Sequence, residues 1–137
     1  MERQAKVLIA DDRHTTRRGL RALLDLVPEV EVVGEAANGQ QSLDQVQQYE
    51  PDMVLMDMQM PDMDGVEATR RIKERWPGIK IVALTLHAKY RAEALEAGAD
   101  AFLLKDGNPE LLLDAILAQV HSLLRQSVDT GSALPEN

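Results

Sequence analysis

The stretch Met53-Val54-Leu55-Met56-Asp57 decides the architecture, because four consecutive apolar residues end on a carboxylate. An apolar run this short and unbroken marks a strand buried on both faces, as in a parallel sheet covered by helices. Upstream, Val7-Leu8-Ile9-Ala10 repeats the pattern and runs into Asp11-Asp12. Downstream, Ile79 to Leu84, broken only by Lys80, is followed by Thr85, and Ala101-Phe102-Leu103-Leu104 is followed by Lys105. Val30 to Ala36 alternates instead, with Glu31, Gly34 and Glu35 among its apolar residues, as an edge strand with one wetter face should.

Between these runs the apolar period becomes helical. Leu20, Leu23, Leu24 and Val27 share one face of a first helix that Pro28 closes. Asn38 is placed to cap a second helix carrying Leu43, Val46 and Tyr49, which stops before Pro51. A third spans about Val66 to Trp76, and a fourth about Tyr90 to Ala97, with Gly98 as its C-terminal stop. Asn108-Pro109 starts the fifth, which carries Leu111, Leu112, Leu113, Ile116, Leu117, Val120, Leu123 and Leu124. Core packing is expected to use about half of these, leaving the rest for a partner or a second copy of the chain. Five βα units in series predict an α/β, flavodoxin-like (βα)5 doubly wound fold, a five-stranded parallel sheet of order 2-1-3-4-5. Residues 1–125 read as one domain, and the polar stretch 126–137 as a loose tail or truncated linker.

Bulk properties narrow the function. A chain of 137 residues holds one core, and its net charge of -8 argues against direct nucleic-acid binding by this segment. No cysteine is present, which excludes disulfides and thiolate metal sites. No h-region follows the start and no stretch is long enough to span a bilayer, so a cytoplasmic location without membrane contact is expected.

In such a fold, ligands bind beyond the carboxyl ends of the strands at the switch point in strand order. Asp11, Asp12, Asp57, Thr85 and Lys105 all stand there. Singly, each has a plainer reading: a helix cap, a solvated strand end, a β-forming threonine, an edge-strand charge. Their joint position favours a site. Three adjacent carboxylates repel one another, which raises the pKa of at least one and suits a hard divalent cation such as Mg²⁺. With Lys105 opposite, the set fits phosphoryl transfer to an ionised Asp57, Thr85 donating its hydroxyl to a phosphoryl oxygen.

The segments Val7 to Asp12, Val54 to Gly65, Leu84-Thr85 and Gly98 to Asp106 resemble the receiver domains of two-component response regulators, closest to the NarL/FixJ type. The resemblance covers residue 6 to about residue 120. It implies that Asp57 is the phosphoacceptor, that Asp12 binds Mg²⁺ directly and Asp11 through water, and that the Gln59 backbone carbonyl is a further ligand. It implies Thr85 and Lys105 as contacts of the phosphoryl group. Phe102 takes the position of a switch aromatic coupled to Thr85, although a core aromatic explains it equally well. Gln59 and His87 match positions that tune dephosphorylation; His87 otherwise reads as a solvated loop residue, and His14 and His121 as surface residues. A sensor histidine kinase is the implied phosphodonor. The domain is then a signalling module, catalysing only its own phosphorylation and slow dephosphorylation, either alone or at the front of a transcription regulator.

Two departures stand out. The segment from Thr85 to Lys105 is a couple of residues shorter than the family's usual, which shortens the fourth helix or its entry. Asp106 follows the lysine where many receivers have proline. Among rival readings, a haloacid-dehalogenase-type phosphatase needs a second Asp where Gln59 stands. An FMN-binding flavodoxin needs a Gly- and hydroxyl-rich loop where Asp11-Asp12-Arg13-His14 stands. An interaction module without phosphorylation would show damage at one of the five residues, and none is damaged.

Overall fold

A computed structural model of the chain describes residues 3–133, and of residues 127–133 the backbone alone. The elements run β1 (Ala5–Ala10), α1 (His14–Leu24), β2 (Val30–Ala36), α2 (Gly39–Tyr49), β3 (Met53–Met56) and α3 (Gly65–Arg75). They continue with β4 (Lys80–Thr85), a 3-10 turn (Ala88–Tyr90), α4 (Arg91–Glu96), β5 (Ala101–Leu104) and α5 (Pro109–Ala133). All neighbouring strands pair in parallel, in the order β2-β1-β3-β4-β5. The expected topology is therefore the observed one.

The period of two along each strand sorts the core into two layers. Leu8, Ala10, Val54 and Met56 pack with Val46, Ile72 and Ala94 of α2, α3 and α4. Val7, Ile9, Met53 and Leu55 pack on the other face with Leu20 and Leu24 of α1 and Ile116 and Val120 of α5. Leu8, Ile9, Leu24 and Ile116 are fully buried, and each such side chain contributes about 1.5–3 kcal/mol. Helix starts follow local chemistry: the Asn38 side chain accepts from Gln41 N–H at 2.8 Å, and Asp64 accepts from Glu67 N–H at 2.9 Å.

The fourth helix, expected over about Tyr90 to Ala97 with a shortening there or at its entry, is six α-helical residues after one 3-10 turn, with no side-chain cap at its start. Residues 126–133, within the stretch read as a loose tail or truncated linker, are helical and continue α5 to Ala133, and residues 134–137 lie outside the described residues. Core packing uses more of α5 than half its apolar residues. Ile116 and Val120 are buried, and Leu112, Leu113, Leu123 and Leu124 lie against the same core, while Leu111 is 66% exposed. The surplus expected for a partner therefore shrinks mainly to Leu111.

The pairing of β1 with β2 shifts by one residue, Val7 facing Val32 and Leu8 facing Gly34, so that Val33 is an inserted bulge residue. Beyond it, Glu35 meets Arg21 at 2.9 Å and Arg17 at 3.3 Å. Burial pushes the Glu35 carboxyl up, but the Arg21 and Arg17 guanidiniums outweigh it and hold the pKa below its ordinary 4.5. A group with a lowered folded pKa stabilises the fold fully above its ordinary value, and loses that effect as pH falls through the folded value. Urea unfolding of wild type and Glu35→Gln from about pH 6 to about pH 3 should show a stability gap that closes in acid. A gap that is constant with pH would contradict the ion-pair account.

Candidate functional site

The last rungs of the sheet position the site. Asp11 N–H donates to Ala36 O at 2.9 Å, Asp57 N–H to Ala10 O at 2.9 Å, and Lys105 N–H to Thr85 O at 2.8 Å. Each bond extends the parallel ladder by one residue, so the rigidity of the strands carries over to the polar residues that follow them. Asp11 is 1% exposed and Asp57 6%, whereas Asp12 is open to solvent. Carboxylate oxygens of these three residues lie within 4.8 Å of one another.

Lys105 closes the cluster. Its ammonium donates to Asp11 Oδ2 at 2.6 Å and to Asp57 Oδ2 at 3.3 Å, with only 8% of its side chain exposed. The second oxygen of each buried carboxylate takes a backbone donor: Arg13 N–H to Asp11 Oδ1 at 2.8 Å, and Gln59 N–H to Asp57 Oδ1 at 3.1 Å. Burial pushes the Asp57 carboxyl above its ordinary value of 3.8, opposed by the Lys105 charge and the Gln59 N–H, while the charge on Asp11 adds to the rise. The anticipated carboxylate repulsion is thus present, but desolvation is the larger cause.

Three carboxylates against one ammonium leave an excess of negative charge on hard oxygen donors, with no sulfur or imidazole among them. That donor set fits a divalent cation of the Mg²⁺ type. The adjoining cleft holds about 70 Å³ and is lined by Asp12, Arg13, Asp57, Gln59, Thr85, Leu86 and Lys105. It is well below the volume of an ordinary small-molecule pocket. A groove of about 540 Å³ between α2 and α3 is larger but lies away from these residues.

The loop from Asp57 to Asp64 is held at two glycines. Gly65 N–H donates to Met58 O at 3.1 Å and Gly39 N–H to Met63 O at 3.0 Å. A Cβ at Gly65 would overlap the Asp57 carbonyl oxygen and lie 2.8 Å from Met58 Cα. Glycine is required there for close approach, since its backbone dihedrals lie outside the left-handed region.

Of the residues singled out in the sequence, Asp12, Asp57, Gln59, Thr85 and Lys105 line the cleft, and Asp11 touches Lys105 from the buried side. Thr85 is buried, its Oγ1 accepting from His87 N–H at 3.3 Å. Phe102 is half-buried beside Ala83 and packs against the core under α2–α4, outside the cleft lining. His87 is exposed, its ring edge-on to Tyr90 at 6.2 Å. His14 and His121 are exposed. Arg13 and Leu86, which also line the cleft, escaped the sequence reading, although each directly follows a residue picked at a strand end. Tyr90 borders a neighbouring groove with Asp12 and Gln59, a placement that no local signal announced.

Among the described residues, no helix is long and apolar enough to cross a membrane. The family model of the response regulator receiver domain matches residues 7–117. The chain is 42% identical over 118 residues to YhcZ, a transcriptional regulatory protein of Bacillus subtilis, covering 85% of this chain and 54% of that protein. It therefore spans about half the length of that relative. A two-component response regulator of the LuxR family from an Aurantimonas species superposes with a TM-score of 0.80 at 32% identity, over 87% of this chain and 86% of the other. The signal receiver domain of NarL from Mycobacterium tuberculosis gives 0.79 at 30% identity, over 87% and 98%. With the acidic cluster at the strand ends and the strand order of the fold, these matches establish that the chain belongs to the receiver domains of two-component response regulators, of the LuxR/NarL type.

Proposed function

We propose that Asp57 is the phosphoacceptor, and that a sensor histidine kinase is the donor. The observation that carries this reading is the gathering of three carboxylates within 4.8 Å, with Lys105 bonded to two of them. An ionised Asp57 oxygen attacks phosphorus, the bond from phosphorus to the donor atom breaks, and an acyl phosphate forms on Asp57. Asp11, Asp12, Asp57 and the Gln59 carbonyl would hold Mg²⁺, which when bound neutralises charge on phosphoryl oxygens. Lys105 balances the added negative charge, and the Thr85 hydroxyl donates to a phosphoryl oxygen. Gln59 and His87 tune hydrolysis of the acyl phosphate, and Phe102 repacks as Thr85 moves.

The chemistry ends on the domain itself, so its product is a conformational signal and not a released metabolite. Output passes through protein contacts, with a second copy meeting the fifth-helix region, where Leu111 is 66% exposed. The chain's net charge of -8 disfavours direct DNA binding by this segment, whether the domain acts alone or heads a transcription regulator.

Incubation with acetyl phosphate and Mg²⁺, followed by intact mass measurement, should give one phosphoryl adduct on wild type and none on Asp57→Asn. An undiminished adduct on the variant would remove Asp57 from this role. Beryllofluoride added to the same protein should shift the NMR signals of Thr85 and Phe102 and raise the molar mass seen by light scattering; unchanged spectra would sink the switch, and an unchanged mass the second-copy contact.

A further inference from the structure

Arg17 of α1 is a half-buried cation that the phosphorylation reading does not use. Its side chain is 14% exposed, and Nη1 donates to the Asp11 backbone oxygen at 2.6 Å while Nε donates to Glu35 Oε1 at 3.3 Å. Glu35 also binds Arg21 Nη1 through its other oxygen, at 2.9 Å. From Glu35 a continuous set of charge-assisted bonds therefore reaches the peptide that joins Asp11 to Asp12.

The bulge explains why Glu35 is available to α1. Because Val33 is inserted, Glu35 pairs with Ile9, whose side chain faces α1 and α5. Continued from Val7 and Val32 without the insertion, the register would pair Glu35 with Ala10, whose side chain lies in the opposite core layer. A one-residue slip exchanges the two faces of a strand, and bulges beside functional sites re-aim side chains in this way.

We infer that Arg17, oriented by Glu35, is a positioning residue for the acidic pair. The peptide between Asp11 and Asp12 is planar, so fixing the Asp11 carbonyl also fixes the plane from which the Asp12 backbone departs. Asp11 has other restraints, through Lys105, the Arg13 N–H and the Ala36 carbonyl. Asp12 is solvent-exposed, and no side-chain hydrogen bond or ion pair orients it among the described residues. Its placement toward a cation depends on its backbone, which Arg17 restrains. This inference rests on the Mg²⁺-dependent reading of the site.

Calorimetric titration of the whole chain with Mg²⁺, well below the melting temperature, tests it. Arg17→Gln should weaken Mg²⁺ binding by about tenfold to a hundredfold, the range seen when the groups that orient metal ligands are removed. Glu35→Gln should weaken it less, and the double variant no more than Arg17→Gln alone, because the two act in series. Arg21→Gln removes the other partner of Glu35 without touching Asp11 and should leave affinity within about twofold. Arg17→Lys, which keeps a charge inside, serves if Arg17→Gln does not fold, and should still bind Mg²⁺ more weakly than wild type. Equal affinity in wild type and a folded Arg17 variant would overturn the inference and leave the phosphoacceptor reading intact. A wild type that binds no Mg²⁺ would overturn both.

Discussion

Lys105→Met is expected to destabilise the metal-free chain by about 3–5 kcal/mol, because it leaves two buried carboxylates without their cation. The Lys105, Asp11 and Asp57 side chains are 8%, 2% and 7% exposed, so the little water that the adjoining cleft admits is a poor substitute for the lost ammonium. The cost depends on charge. Asp57 already holds its proton above the ordinary 3.8, chiefly through burial, so the folded state binds more protons than the unfolded one over that window. Stability of the metal-free protein must then fall as pH rises from the ordinary value through the folded one. Lys105→Met should steepen that fall, since Lys105 is the main influence holding Asp57 down. Urea unfolding in chelator near pH 7, repeated in acid, measures both effects. A loss below about 1 kcal/mol, as for a surface pair, would mean that the cluster is hydrated. Added Mg²⁺ should raise the melting temperature more in the variant than in wild type, because it then provides the only neutralisation.

Gly65→Ala is expected to cost several kcal/mol, within the class of overpacked core substitutions, and to suppress the phosphoryl adduct beyond what its stability explains. The added Cβ would overlap the Asp57 carbonyl oxygen and lie 2.8 Å from the Asp57 carbonyl carbon. Backbone on both sides is pinned, by Asp57 N–H to Ala10 O and Gly65 N–H to Met58 O, so no flexible side chain can absorb the overlap. Relief requires moving the peptide that carries Asp57, the proposed acceptor, and a displacement of about 1 Å can cost about 100-fold in rate. Time courses of adduct formation at a temperature where the variant is fully folded separate the two effects. Gly78→Ala, where a Cβ meets nothing within 4 Å, is the matching control. An adduct formed at the wild-type rate on folded Gly65→Ala would show that the loop tolerates the shift.

Much of this was legible in the residues. A parallel strand buried on both faces must be a short unbroken apolar run, which is how Val7 to Ala10 and Met53 to Met56 announce themselves, whereas Ala101 to Leu104 reads the same way but forms an edge strand that is only half-buried. Residues following such runs land on one edge of the sheet whatever the loops do, which placed Asp11, Asp12, Asp57, Thr85 and Lys105 together. Helix ends that depend on distant contacts were less legible. Residues 126–133 lack an apolar stripe, yet α5 continues through them, and the fourth helix begins with a 3-10 turn that its own sequence does not signal. On α5, the apolar count misled because the helix packs against a twisted sheet over several turns and uses a broader face than a single stripe.

The chain by itself determined the sheet, its order and the set of polar groups at the strand ends, because alternation and run length are local properties of the covalent sequence. Only the tertiary structure decided which carboxylates are buried, that Lys105 bonds Asp11 more closely than Asp57, and that Gly65 packs on the Asp57 carbonyl. The same holds for the bulge at Val33, which turns Glu35 toward Arg17. Each of these depends on pairing between segments far apart in the chain, and a one-residue shift in that pairing exchanges the faces of a strand without changing a single residue.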